Sequence, residues 1–232
     1  LKGFFKEKQQ SQKNPIPALE GFPLLNVIIG GPLCRGRDYA ELTRSVVEGG
    51  AGLVQLREKN KDARQIVETA RRMQSVCRKN NALFVVNDRV DVAFAAGADG
   101  VHLGQDDISL TMARKILGPD KIIGISVQNL DQAKAAVAEG ADYLGLGPAF
   151  HTDSKECNRP AGGACLISEI APMVKIPVLA IAGITPENTL PLLEAGASGV
   201  AVISSVLENP DPKEIVLKFM KIFKDRQLSK TI

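Results

Sequence analysis

Histidine is scarce in this chain, with only His102 and His151 among 232 residues. The four cysteines, Cys34, Cys77, Cys157 and Cys165, form no CxxC pair and no metal-ligand pattern with those histidines, which argues against a structural zinc. Reduced thiols in a cytoplasmic protein are the expected state. No apolar run approaches the roughly 18 residues that a bilayer span requires. Residues 1–23 are basic, Gln-rich and broken by Pro15 and Pro17, without the apolar core of a secretory signal, and are expected to form a loose or helical extension. Neither charge sign is in excess: 29 basic and 26 acidic residues are interspersed and leave a net +3. That balance gives no electrostatic case for nucleic acid or membrane as partner, so any bound anion must be held locally. A GxGxxG turn, the early mark of a doubly wound dinucleotide-binding sheet, is also missing.

What the chain does have is a phrase used four times. Gly50-Ala51, Gly97-Ala98, Gly140-Ala141 and Gly196-Ala197 each precede two residues and an apolar run, at intervals of 47, 43 and 56 residues. Glycine there suits the C-terminal cap of a helix, and each interval has room for two strand-helix units. Eight β-rich runs are predicted near 24–29, 53–57, 82–86, 100–103, 121–125, 143–146, 177–181 and 199–203. Helical spacing is predicted over 40–47, 63–77, 110–117, 131–138, 167–173, 188–195 and 212–223, with Asp131 and Thr185-Pro186 as helix starts. Strict alternation on a chain of this length predicts an α/β fold, a single closed (β/α)8 barrel spanning 24–226 between an extension (1–23) and a tail (227–232). Barrel chemistry belongs at strand C-terminal ends.

Those ends carry distinctive residues. After the second strand comes Gln55-Leu56-Arg57-Glu58-Lys59, where alternation turns Gln55, Arg57 and Lys59 to the barrel axis if Val54 and Leu56 face the helices. An inward Arg and Lys call for a phosphate or diphosphate, unless they are a solvated strand end paired with Glu58. Asn87-Asp88-Arg89 follows the third strand and Gly104-Gln105-Asp106-Asp107 the fourth. Asp88 and Asp107 would suit Mg²⁺, which takes one or two carboxylates and fills its other positions with water and phosphate oxygens. Either could instead serve a turn or a helix cap near Ser109. Arg57, Lys59, Lys155 and one Mg²⁺ carry +5 against −2 from Asp88 and Asp107, leaving +3 for a mostly ionised diphosphate. Ser126 follows the fifth strand. Thr152, Ser154 and Lys155 stand in a Gly-rich segment after the sixth that reads either as a mobile lid with phosphate donors or as a surface loop. Gly183 after the seventh strand and Ile203-Ser204 after the eighth match the position where barrels bind a second phosphate through backbone N–H groups.

Together QLREK (55–59), VNDR (86–89), HLGQDD (102–107), GLGPAFHTDSK (145–155), AGITPEN (182–188) and VISS (202–205) resemble the thiamine phosphate synthase and thiazole tautomerase superfamily, over about 24–223. The resemblance implies Mg²⁺-dependent joining of a hydroxymethylpyrimidine diphosphate to a thiazole phosphate with release of diphosphate. It implies Gln55, Arg57, Lys59, Asn87 and Lys155 on the pyrimidine diphosphate, Ser126 on the diphosphate, and Asp88 and Asp107 on the metal. Thr152, Ser154, Gly183, Ile203 and Ser204 would hold the thiazole phosphate. Arg57, Lys59, Ser126 and Lys155 are the expected catalytic groups. Both partners are small molecules, and a homo-oligomer is compatible with them. No general base is required, and His102 is expected to pack within its strand. Ala182 stands where the superfamily has a first glycine, and Ile29-Gly30-Gly31-Pro32 replaces its Thr-Asp ending.

Two other readings compete. A thiazole tautomerase would carry a histidine in a Ser-Val-His phrase, where this chain has Ser126-Val127-Gln128, and Gln128 cannot act as a base. A non-catalytic phosphate-binding barrel would have no use for a metal pair facing Arg57 and Lys59.

Overall fold

Nearly every strand residue of the computed structural model is buried, because one side of each strand faces the helices and the other the barrel interior. The structure describes residues 24–152 and 161–229. Strands β1 (Leu24–Ile29), β2 (Leu53–Leu56), β3 (Leu83–Asn87), β4 (Gly100–Leu103), β5 (Ile122–Val127), β6 (Tyr143–Leu146), β7 (Val178–Ile181) and β8 (Gly199–Val202) pair in parallel and in sequence order into a closed barrel. Closure is direct: Val27 of β1 stands in register with Val54 of β2 on one side and Val202 of β8 on the other.

Outward residues such as Val27, Val54, Phe84, Val101, Ile123, Leu144 and Val200 join the layer packed under the helices. Inward Leu24, Leu53, Val85, Ile122, Tyr143 and Leu179 form a separate apolar cluster inside the barrel. Tyr143 fits there because β5 offers Gly124 beside it, where any Cβ would meet the phenol ring at 2.1 Å. Above this floor the inward positions turn polar or small: Asn26, Gln55, Asn87, His102, Gly145 and Ala201 face a cavity.

The helices are α1 (Tyr39–Glu48), α2 (Ala63–Lys79), α3 (Val90–Ala96), α4 (Leu110–Leu117), α5 (Leu130–Glu139), α6 (Gly163–Ile170), α7 (Pro186–Glu194), α8 (Ser204–Leu207) and α9 (Pro212–Ser229). Gly97 and Gly140 cap α3 and α5 in the left-handed conformation, and Gly50 and Gly196 follow α1 and α7 with φ of 108° and 109°. Three local expectations need correction. Asn129 begins α5, accepting from the Gln132 amide at 2.9 Å, and Asp131 lies in the first turn, where its charge suits the positive helix end. Helix α6 starts at Gly163, inside a stretch that lacks periodicity, and ends at Ile170. It tightens into a 3-10 turn over Ala171–Met173, where Pro172 has no N–H to donate. Helix α3 has no counterpart in the expected helices, because seven residues give too little periodicity.

No helix among the described residues is long and apolar enough to cross a membrane. Cys34, Cys77 and Cys165 are free, and Cys157 lies outside the described residues.

Candidate active site

The strand ends surround an inner cavity of about 120 Å³ that opens toward a mouth of about 650 Å³. Gln55, Arg57, Asn87 and Ser126 line the inner cavity from β2, β3 and β5. Thr152, Gly183, Ile203 and Ser204 close its other side and also line the mouth. Both Gln55 and Arg57 therefore face the axis, as alternation requires, while Val54 and Leu56 face the helices. Lys59 stands at the rim beyond β2, with Nζ 3.6 Å from Asp88 Oδ2. Ser154 and Lys155 lie outside the described residues.

Asp88 and Asp107 converge although 19 positions separate them in sequence. The Asp88 amide donates to the carbonyl of His102 on neighbouring β4, and Asp88 itself takes φ of 63°, a left-handed conformation that aspartate tolerates better than most residues. Asp107 turns back so that Oδ2 accepts from the Gly104 amide at 2.6 Å. The two carboxyl groups hydrogen-bond each other. Burial, that hydrogen bond and the charge of Asp107 push the Asp88 carboxyl above its ordinary range, with Lys59 and Arg57 opposing.

A second polar chain runs behind the cavity. His102, buried in β4, has Nδ1 2.9 Å from the Tyr143 hydroxyl and Nε2 2.9 Å from Ser126 Oγ. Burial holds the Tyr143 phenol well above its usual range, so its proton stays in place. Gln105 donates to the Ser126 carbonyl at 2.7 Å, fixing the end of β5 against the β4 loop.

After β7, Gly183 lets two loops meet: its φ is 64°, and a Cβ there would lie 2.3 Å from the His151 carbonyl oxygen. Ala182, at φ 78°, holds a left-handed conformation without being glycine, at a cost of roughly 1–2 kcal/mol.

Across the barrel mouth, Tyr39 of α1 donates its hydroxyl to Glu58 Oε2 at 2.6 Å and accepts from the Gly31 amide at 3.0 Å. Glu58 Oε1 accepts from the Lys59 and Asn60 amides. Burial works against the Glu58 charge, yet the Tyr39 hydroxyl, the Asn60 amide and Lys61 outweigh it and hold the carboxyl below its ordinary range. Glu58 thus braces the loop that carries Arg57 and Lys59, through the Lys59 main chain, and its ion pair is with Lys61. Nothing in the sequence points to Tyr39, because 19 residues separate it from Glu58. Tyr39→Phe should destabilise the chain by about 1–3 kcal/mol, the cost of leaving buried polar partners unpaired. Calorimetry should show a fall in Tm of roughly 2–4 °C per kcal/mol for a domain of this size, and an unchanged Tm would refute the brace.

Residues 25–206 match the sequence model of a family described as thiamine monophosphate synthase. The chain belongs to that family. A thiamine-phosphate synthase of Chlorobium phaeovibrioides is 47% identical over 170 residues, covering 73% of this chain and 81% of the relative. One from Moorella thermoacetica is 46% identical over 188 residues, covering 81% and 89%. Among solved structures, a thiamine phosphate pyrophosphorylase from Pyrococcus furiosus superposes with a TM-score of 0.80 at 39% identity, over 87% of this chain and 96% of that one. Membership in the thiamine monophosphate synthase family makes the chain a member of a family of transferases. Asn26, Tyr143 and Tyr39 are the site-building residues that sequence reasoning passed over. For Asn26 there was a signal, a lone amide in the apolar strand LLNVII, and it is the same signal that marks Gln55.

Proposed function

We propose that this chain joins 4-amino-2-methyl-5-(diphosphooxymethyl)pyrimidine to a thiazole phosphate, either the carboxythiazole or the hydroxyethylthiazole form, and releases thiamine phosphate and diphosphate, with the carboxyl group of the carboxythiazole form leaving as carbon dioxide. The observation that carries this reading is the convergence of Arg57 and Lys59 with the Asp88–Asp107 pair on one rim of a buried cavity. A second anion-binding rim at Gly183 and Ile203-Ser204 supports it. The C–O bond to diphosphate breaks with the electron pair leaving on oxygen, and the thiazole nitrogen forms the new bond to the methylene carbon.

The residues suit Mg²⁺. Asp88 and Asp107 are hard oxygen donors forced together against their own repulsion, and a divalent cation between them would relieve it. When bound, the ion would neutralise charge on the departing diphosphate. Arg57 and Lys59 serve the same leaving group directly, and Lys155 would add a third cation. Ser126 is oriented by His102. With Tyr143 donating to Nδ1, a neutral imidazole carries its proton on Nε2 toward Ser126 Oγ, and the serine O–H is then left to donate to the diphosphate. Gln55 and Asn87 hold the pyrimidine, and Thr152, Ser154, Gly183, Ile203 and Ser204 hold the thiazole phosphate. Positioning two reactants and stabilising leaving-group charge is sufficient chemistry here, and no residue acts as a base.

The test is direct: purified protein, Mg²⁺ and the two phosphorylated halves should yield thiamine phosphate by chromatography, and chelation of the metal should stop it. Interconversion of thiazole tautomers without thiamine phosphate would replace this reading with the tautomerase.

A further inference from the structure

The backbone that carries Lys59 is held by a side chain and not by the sheet. The register of β1 with β2 ends at Ile29 and Leu56, and the Arg57 amide adds one bond to the Ile29 carbonyl at 2.9 Å. Beyond Arg57, Glu58 Oε1 accepts from the Lys59 amide at 3.0 Å and the Asn60 amide at 3.1 Å. The Glu58 side chain is only 4% exposed, and its other oxygen accepts from the Tyr39 hydroxyl at 2.6 Å. Lys61 completes the enclosure, with Nζ 3.7 Å from Glu58 Oε2 and 4.3 Å from the centre of the Tyr39 ring. The same hydroxyl accepts from the Gly31 amide at 3.0 Å. That residue begins the stretch Gly31, Pro32 and Leu33, which lines the mouth together with Gly183 and Ser204. One phenol oxygen of α1 therefore ties together two loops that follow neighbouring strands. The loops also pack closely: a Cβ on Gly30 would lie 1.9 Å from the Arg57 carbonyl oxygen.

We propose that Tyr39 is a positioning residue for the reaction, acting through Glu58 on the diphosphate rim and through Gly31 on the loop that lines the mouth. This rests on the reading given under Proposed function. Lys59 shows why positioning is needed. Its side chain is 56% exposed and reaches to 3.6 Å from Asp88, so its direction depends on where the main chain of the loop holds its Cα. A lysine on an unbraced loop would still attract an anion, but the loop would have to be ordered on binding, at a cost in affinity. The buried Glu58 carboxylate removes that freedom in advance, and Tyr39 in turn fixes the Glu58 side chain. Tyrosine suits the role because its hydroxyl donates to a carboxylate and accepts from an amide at once. A residue that lines neither the inner cavity nor the mouth thereby sets the affinity for both substrates.

Tyr39→Phe keeps the ring and the Lys61 contact and deletes only the oxygen. At room temperature, with circular dichroism showing the variant folded, the dissociation constant of inorganic diphosphate in the presence of Mg²⁺, measured by calorimetry, should rise about fivefold. That is a share of one hydrogen bond to a charged group. KM for the pyrimidine diphosphate and for the thiazole phosphate should rise by a similar factor. The turnover number should fall less than about twofold, since the ordering is supplied on binding and no reacting group is removed. Glu58→Ala should have at least the same effect, and Tyr39→Phe in that background should add less than about twofold, because both act through one contact. Glu58→Gln, which keeps an acceptor for the two amides, should lose less than Glu58→Ala, and it serves as the second variant should phenylalanine disturb folding. A merely structural Tyr39 would lower Tm and leave these constants unmoved. That result, or losses that multiply in the double variant, would overturn the assignment of Tyr39. Diphosphate binding is read without turnover, so this failure is distinct from that of a wild-type chain that makes no thiamine phosphate, which would bring down the reading beneath it.

Discussion

Arg57→Met is expected to lower kcat/KM for the pyrimidine diphosphate at least about a hundredfold. Arg57 points into the cavity from the end of β2, and its charge is felt at Asp88. Its backbone amide donates to the Ile29 carbonyl at 2.9 Å, so the strand end is held by main-chain atoms that the substitution leaves alone. On the proposed function, the substitution would remove one fixed cation aimed at charge that develops as the diphosphate departs. Removing a single preorganised donor of this kind typically costs a factor of about 10²–10³ in rate. Lysine should recover only part of the loss, since a point charge cannot reproduce the forked, bidentate guanidinium contact. Steady-state kinetics decide the matter, and a change below about threefold would remove Arg57 from the reacting centre.

For Asp88→Asn the expected pattern is a fall in rate of at least about tenfold without any loss of stability. Asparagine tolerates the left-handed backbone at φ 63° as aspartate does. The new amide can still donate to Asp107, and the repulsion between two carboxylates disappears. Thermal stability should hold or rise while activity falls and the Mg²⁺ concentration for half-maximal rate increases, the trade expected where a site is kept strained for function. Kinetics at several Mg²⁺ concentrations beside a melting curve test both halves. An unchanged Mg²⁺ dependence would take Asp88 out of any metal site.

The barrel was legible because its determinants are local. Apolar β-rich runs, a glycine at each marked helix end and helices of eight residues or more placed seven of the eight strands to within one residue and β5 to within two. The closed β1–β8 ring then follows from chain length and alternation. Where the local signal was short or ambiguous, reading failed: α3 has seven residues, and the helix after the sixth strand begins among glycines. The site divides the same way. Gln55 and Arg57 could be turned inward from their parity with Val54 and Leu56, since side-chain direction in a strand is a property of neighbours in sequence.

Other features exist only once the ring closes. Asp88 and Asp107 hydrogen-bond each other because β3 and β4 are neighbours and Asp107 folds back onto Gly104. Tyr143 reaches His102, and His102 reaches Ser126, across three strands by way of the space Gly124 leaves. Tyr39 braces Glu58 from a different helix. Asn26 and Gln55 come to line one cavity only when β1 and β2 take their places in the ring. Sequence by itself determined the eight strands, their order and the inward face of β2, because those are set by contacts a few residues apart. Tertiary structure alone decided which polar atoms meet and which are left unpaired, because that depends on the register and closure of strands far apart in the chain.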